Sequence, residues 1–227
     1  MASPGDLVAA VAAVLGYPLV TISTYYRHLR EAGLVTKGGR GPSAAQMSPR
    51  DAALLLLAVA ASDEAKTAAE RTLAMGLIPL VYRSRERGQE TSLLSVFDDL
   101  PASHTFADAL TMLLDCAGQG SLQSAINATL SSTEGSVKVW NIRVTILGPL
   151  PQARIDIFVG GRHEMLSYSS IPSELFSEFD PGEGLDALKN WSSETEHSFP
   201  GDMSFTREFT NRTILRIGAL VAGKVKQ

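Results

Sequence analysis

The sequence predicts an α+β fold: an amino-terminal helical unit, a further helical segment, and a carboxy-terminal antiparallel β-sheet with helices. Three observations carry this. Apolar residues recur at helical spacing, with alanine and leucine prominent, from Asp6 to about Leu130. After Val137 the spacing changes to two, with β-branched residues. The composition, 44% hydrophobic and 19% charged over 227 residues, is that of a globular protein.

The elements follow in order. Asp6 to Leu15 reads as a short helix ended by Gly16 and Pro18. A second helix spans Thr21–Ala32, capped by Thr21 or Ser23 and stopped by Gly33. Residues 34–47 hold Gly38, Gly39, Gly41 and Pro42 and predict a tight turn or hairpin. Ser48-Pro49-Arg50-Asp51 opens a helix to about Ala61, with Ser48 at the N-cap, Pro49 at its first position and Asp51 at its third. Its nearly all-round apolarity requires burial. Another helix spans about Asp63 to Met75, and the charged stretch Arg83 to Glu90 reads as a loop or helix end. Thr105 to Ala117 is amphipathic, Gly118 and Gly120 are expected to break it, and Leu122 to Leu130 restarts it.

Val137 to Ile146, the turn Gly148-Pro149-Leu150-Pro151 and Ala153 to Val159 predict a β-hairpin with Ile155 and Ile157 on one face and Arg154, Asp156 and Phe158 on the other. Glu164 to Ser169 and Ser204 to Thr210 are expected as third and fourth strands, with residues 170–203 mostly loop. Asn211 is expected to cap a last helix through Leu220. The expected division is residues 1–62 and 63–227.

Charge is uneven. Residues 1–50 hold Arg27, Arg30, Lys37, Arg40 and Arg50 against Asp6 and Glu31, a net +3, so the total of −4 leaves −7 for the rest. A basic block on an acidic body suggests that the block meets a polyanion. The apolar run Leu7 to Val20 contains Gly16 and Pro18 and follows Asp6 without a basic stretch, so it is a poor leader, and Ala52 to Ala61 is too short to span a bilayer. The expected location is the cytoplasm, at the nucleoid, and the triplets starting at Asn127, Asn190 and Asn211 read as chance sequons. A single cysteine, Cys116, excludes an internal disulfide and reads as a small buried hydrophobe.

The stretch Val11 to Val35 contains the parts of a helix-turn-helix: a helix ending at Leu15-Gly16, a short turn, and a second helix with Tyr25 and Leu29 one turn apart. With those two inward, Ser23, Tyr26, Arg27 and Arg30 are expected to point outward. Arginine can fork onto guanine O6 and N7, while hydroxyls such as those of Thr21, Ser23, Thr24 and Tyr26, and the Lys37 ammonium, can hold phosphates. Arg40, on the glycine-rich segment Lys37-Gly-Gly-Arg-Gly-Pro42, suits a narrow, electronegative minor groove.

The run Arg27-His28-Leu29-Arg30-Glu31-Ala32-Gly33-Leu34-Val35, following a helix that ends at Leu15-Gly16, resembles the recognition-helix end of winged helix-turn-helix regulators. The chain is also similar in general character to regulators of bacterial prophages and gene-transfer elements. The first resemblance covers about the first quarter of the chain and implies that residues 21–32 enter the major groove and that residues 36–46 form the wing. The chain departs from that pattern in lacking the usual first helix upstream, and the Pro49–Ala61 helix is expected to supply the missing packing surface.

The expected function is therefore sequence-specific binding of double-stranded DNA in transcription regulation, as a homodimer, because one such module makes few base contacts. The hairpin, with Trp140 and Phe158, and the last helix are the candidate dimer interfaces. Two alternatives are a phage-type DNA-packaging or assembly protein and an enzyme with a winged-helix accessory domain. No catalytic, metal or cofactor residues are expected. His163-Glu164-Met-Leu-Ser167 lacks the second histidine of a zinc-protease motif and reads as a strand, and there is neither a Gly-x-Ser-x-Gly elbow nor a Gly-Lys-Ser/Thr phosphate loop. His28, His104, His163 and His197 are scattered, and Asp98-Asp99 and Glu194 with Glu196 read as solvated charge. No polar cluster identifies a small effector.

Overall fold

Ser3 and Asp6 open the first helix: Asp6 N–H donates to Ser3 Oγ (3.2 Å) and Ser3 N–H donates back to the Asp6 carboxylate (2.8 Å), so each end of the box satisfies an orphan donor. This helix, α1 (Pro4–Leu15), is followed in the computed structural model by α2 (Leu19–Glu31), α3 (Pro49–Ala61), α4 (Ala68–Gly76), β1 (Leu80–Ser84), α5 (Phe106–Gln119), α6 (Ser121–Ser132), β2 (Trp140–Gly148), β3 (Gln152–Val159), β4 (Arg162–Ser169), β5 (Phe205–Thr210) and α7 (Asn211–Val221). The structure describes residues 2–37, 46–84, 91–132, 137–171 and 204–224. Among them the fold is α+β, as the sequence predicts, with a five-stranded antiparallel sheet in the order β1-β4-β3-β2-β5.

Ser48 and Thr105 head α3 and α5 with the same reciprocal box, through Asp51 and Asp108. The Ser3 hydroxyl and backbone hold the Asp6 carboxyl below its ordinary range. At Asp108 burial pushes upward, but the bonds from Thr105 and the Arg50 guanidinium outweigh it and leave the carboxyl lowered. A lowered folded-state value adds stability above the unfolded value that is lost as pH falls through the folded one. Urea unfolding is therefore expected to show declining stability from about pH 5 to about pH 2, with a shallower decline in the Asp6→Asn/Asp108→Asn double variant. Equal slopes in the two proteins would remove these boxes from the acid response.

The period-two pattern of β2 to β4 turns Ile142, Val144, Ile146, Ala153, Ile155, Ile157, Val159, Leu166 and Tyr168 toward the helices, all buried. The opposite face carries polar pairs: Arg143 of β2 with Glu208 of β5 (3.8 Å), Arg154 with Asp156 along β3 (2.8 Å), and His163 of β4 with Asp156 (3.1 Å). The hairpin register, Trp140 opposite Val159 through Leu147 opposite Gln152, begins three residues later than Val137. On β4 neighbouring residues alternate faces, so His163 meets Asp156 while Glu164 is buried with Arg83 Nε (2.7 Å) and accepts Leu93 N–H (2.6 Å). The two side chains do not converge.

Three local expectations change. Arg83 lies in an edge strand rather than a loop, because β1 pairs with β4 far along the chain and Glu164 neutralises its inward guanidinium. Gly118 does not break α5. It lies inside the helix where α7 approaches, and Gly120, at φ 94°, ends it. Asn211 does not cap α7, whose N-cap position is Thr210 without a side-chain bond. Cys116 is only partly buried, and burial pushes its thiol upward. Among the described residues no helix is long and apolar enough to cross a membrane.

One core joins the amino-terminal helices to the rest. The buried α3 packs on α2 as well as on α4 and α5, and α1 packs on α7. The apolar face of α7 (Ile214, Ile217, Leu220, Val221) is thus used within the chain. Arg207 of β5 ties the sheet edge to the end of α3: its Nη1 donates to the carbonyls of Ala60 (3.1 Å) and Ser62 (2.9 Å), and its Nη2 to the Asp63 carboxylate. A cation on these last carbonyls also meets the negative end of the helix dipole.

Candidate nucleic-acid interface

The turn before α2 is three residues long and set by its sequence. Gly16 adopts φ 74° and returns its N–H to Ala12 O, closing α1. Pro18 is extended, and its carbonyl accepts the N–H groups of Thr21 (3.0 Å) and Ile22 (3.3 Å), so the helix starts at Leu19 with neither Thr21 nor Ser23 as its cap. At the other end Gly33, at φ 77°, lets Leu34 N–H reach Leu29 O (2.9 Å) and turns the chain away.

The back of α2 is buried: Ile22, Tyr25, Tyr26 and Leu29. Tyr25 Oη donates to Ser62 O (3.0 Å), which ties the helix to the same carbonyl that Arg207 holds. Tyr26 was expected outside and lies inside. It is 7% exposed with its hydroxyl on Met47 Sδ (3.8 Å), and burial pushes the phenol upward. The reason is that α2 is covered on two flanks. Met47, beyond the 36–46 connector, packs where a helix with only Tyr25 and Leu29 inward would be open. Tyr26 therefore leaves the set of candidate contacts.

What remains outside is one stripe. Val20, Ser23, Thr24, Arg27, Arg30 and Glu31 are spaced three and four residues apart and share the face opposite the core. Val20, Ser23, Arg27, Arg30 and Glu31 are exposed, whereas Thr24 is partly covered and returns its hydroxyl to Val20 O (2.9 Å). Thr21 lies on the flank, where with Thr24 at the edge of the stripe it lines a cleft with Tyr17, Tyr25, Ser62 and Arg207. Arg27 Nε lies 3.9 Å from Glu31, with both side chains more than half exposed, so the pair is weak and screened. Arg30 has no carboxylate partner among the described residues. Arg50, counted with the basic block, is drawn to Asp108 of α5 (3.3 Å).

The wing expected at 36–46 lies largely outside the described residues, and Arg40 with it. Its roots are described. Lys37 is exposed beside Gly33. Thr36 gives its N–H (2.7 Å) and hydroxyl (3.0 Å) to the Asp51 carboxylate, and Met47 N–H donates to Ala2 O (3.0 Å). Asp51 also accepts Ser48 N–H and Oγ, so one buried carboxylate holds both ends of the connector. Only its capping role was readable from Ser-x-x-Asp, because the partner Thr36 comes from the other root.

Val20 joins the exposed face of α2 because the helix begins at Leu19, two residues before the expected start at Thr21. The signal available was Pro18, which ends an extended stretch and allows helix from the next residue. No protein-family model, curated protein or solved structure matches this chain.

Proposed function

We propose that α2 reads the major groove of double-stranded DNA and that the protein is a sequence-specific transcription regulator acting as a dimer, with α1, α2 and α3 and the 36–46 connector used as a winged helix-turn-helix. The observation that carries the reading is the one-sided exposure of α2. Its hydroxyl- and arginine-bearing face is open along its length while its back is fixed in the core. A helix held this way can enter a groove as a rigid reader, and Arg27 and Arg30 bear donors that fork onto guanine. Lys37, at the root of the connector, suits a phosphate. The uneven charge, +3 on residues 1–50 against −7 on the remainder, supports approach by that end.

The test is anisotropy titration of duplexes selected from a random library. Arg27→Ala is expected to weaken the selected duplex by about tenfold to a hundredfold, and random DNA much less. Lys37→Ala should weaken both alike and flatten the plot of log K against log salt by about one unit. An unchanged ratio of selected to random affinity in Arg27→Ala removes α2 as the reader. Mass in solution tests the dimer, since a ring of many copies would instead fit an assembly protein.

A further inference from the structure

Three large apolar side chains are exposed together where α2 begins: Tyr17 at 42%, Leu19 at 56% and Val20 at 71%. Single exposed apolar residues are ordinary. Val20 differs in position. It sits in the first turn of α2, in the stripe of Ser23, Thr24, Arg27 and Arg30, and adds nothing to the core. A β-branched residue is also a weak choice for an exposed helical position, where straight-chain residues lose less rotamer freedom. The first turns of a groove-reading helix are those that meet base edges. The one apolar feature on the major-groove edge of a base pair is the thymine C5-methyl.

We infer that Val20 is a specificity-determining residue that packs on a thymine methyl, which rests on the reading of α2 proposed above and names part of its site. Val20 and Arg27 are two helical turns apart on one face, a rise of about 10 Å. With the helix along the groove this is about three base-pair steps. The recognised sequence therefore contains a guanine met by Arg27 and, about three base pairs away, a thymine whose methyl is covered by Val20. Ser23 lies between them and faces the intervening pair.

The test replaces thymine by uracil, which deletes only the methyl and keeps O4. Duplexes are first selected from a random-sequence library by the wild-type protein, and each thymine of the selected site is then changed singly. One change, about three base pairs from the guanine that Arg27→Ala ceases to require, is expected to weaken the wild type about fourfold. Val20→Ala should bind the thymine and uracil duplexes equally. Its unfolding midpoint should match the wild type, because the side chain is exposed. The inference is overturned where every thymine-to-uracil change is neutral for the wild type, the outcome if the apolar turn docks a protein instead. It is equally overturned where Val20→Ala still prefers thymine. The two levels separate: selection that depends on Arg27 while uracil is neutral removes only the role of Val20, whereas no enrichment at all removes the reading of α2 with it.

Discussion

Asp51→Ala is expected to lose about 4 kcal/mol of stability. Its carboxylate is 3% exposed and accepts four bonds, from Thr36 N–H (2.7 Å), Thr36 Oγ1 (3.0 Å), Ser48 N–H (2.8 Å) and Ser48 Oγ (2.7 Å). Bonds to a charged acceptor contribute about 1.5–3 kcal/mol each, less than additively here because they share one group. Removing it leaves the Thr36 and Ser48 donors without that partner and takes away the reciprocal half of the capping box of α3, while the backbone N–H of residue 51 keeps its bond to Ser48 Oγ. The midpoint of thermal unfolding should fall by about 8–16 °C for a chain of this size. Asp51→Asn preserves shape but turns part of the acceptor into a donor facing donors, so it should recover little. Because Thr36 and Ser48 root the 36–46 connector, amide exchange at both should accelerate well below the melting temperature. A loss under about 1 kcal/mol in urea would mean that the carboxylate does not hold the connector.

The second large effect is at the crossing of α5 and α7. Gly218→Ala places a Cβ 2.5 Å from Leu114 O and 2.8 Å from Ala117 Cβ, and Gly118→Ala places one 2.6 Å from Gly218 O. The obstructing atoms are largely backbone, so relief requires the helices to move apart. Helical propensity alone favours alanine over glycine by about 1 kcal/mol. Overpacking a tight contact costs about 1–3 kcal/mol and occasionally more, and the backbone clash puts this case at the upper end. A net loss of about 2–3 kcal/mol is expected for Gly218→Ala, and a larger one for Gly218→Val. Since α1 packs on α7, the displacement should reach the helix that carries the turn into α2. Stability at or above wild type in Gly218→Ala would show that propensity outweighs the clash.

The stretches most legible in the sequence are those whose cause is local. Ser48-Pro49-x-Asp51 marked the start of α3 because its cap, its proline and its acidic third residue lie within four positions. Thr105 and Asp108 form the same local box before α5, without the proline, where the sequence reading rested on amphipathic spacing alone. The period of two marked the inward face of β3, since side chains alternate on a strand whatever its partners. The stripe of Ser23, Arg27 and Arg30 followed from the inward placement of Tyr25 and Leu29 on one helix.

Where a partner lies far along the chain, local reasoning stopped short. Tyr26 shares its turn of helix with polar residues, and its burial depends on residues brought from across the connector, Met47 among them. Leu80–Ser84 is a strand because β4 is there to pair with it, and Arg83 is tolerated inside because Glu164 faces it. Gly118 reads by itself as a helix breaker, yet opposite Gly218 it permits one close crossing. Asp51 read as a cap and Arg207 as a strand residue, while across the fold Asp51 holds the root of the connector and Arg207 holds the Ser62 carbonyl that Tyr25 of α2 also bonds. The sequence by itself determined the locally capped helices, the period-two strands and the uneven charge, because these depend on spacing and side-chain chemistry. The tertiary structure alone decided which exposed-looking groups are buried and which residues hold α2 in place, because burial and hydrogen bonding depend on atoms brought together from distant parts of the chain.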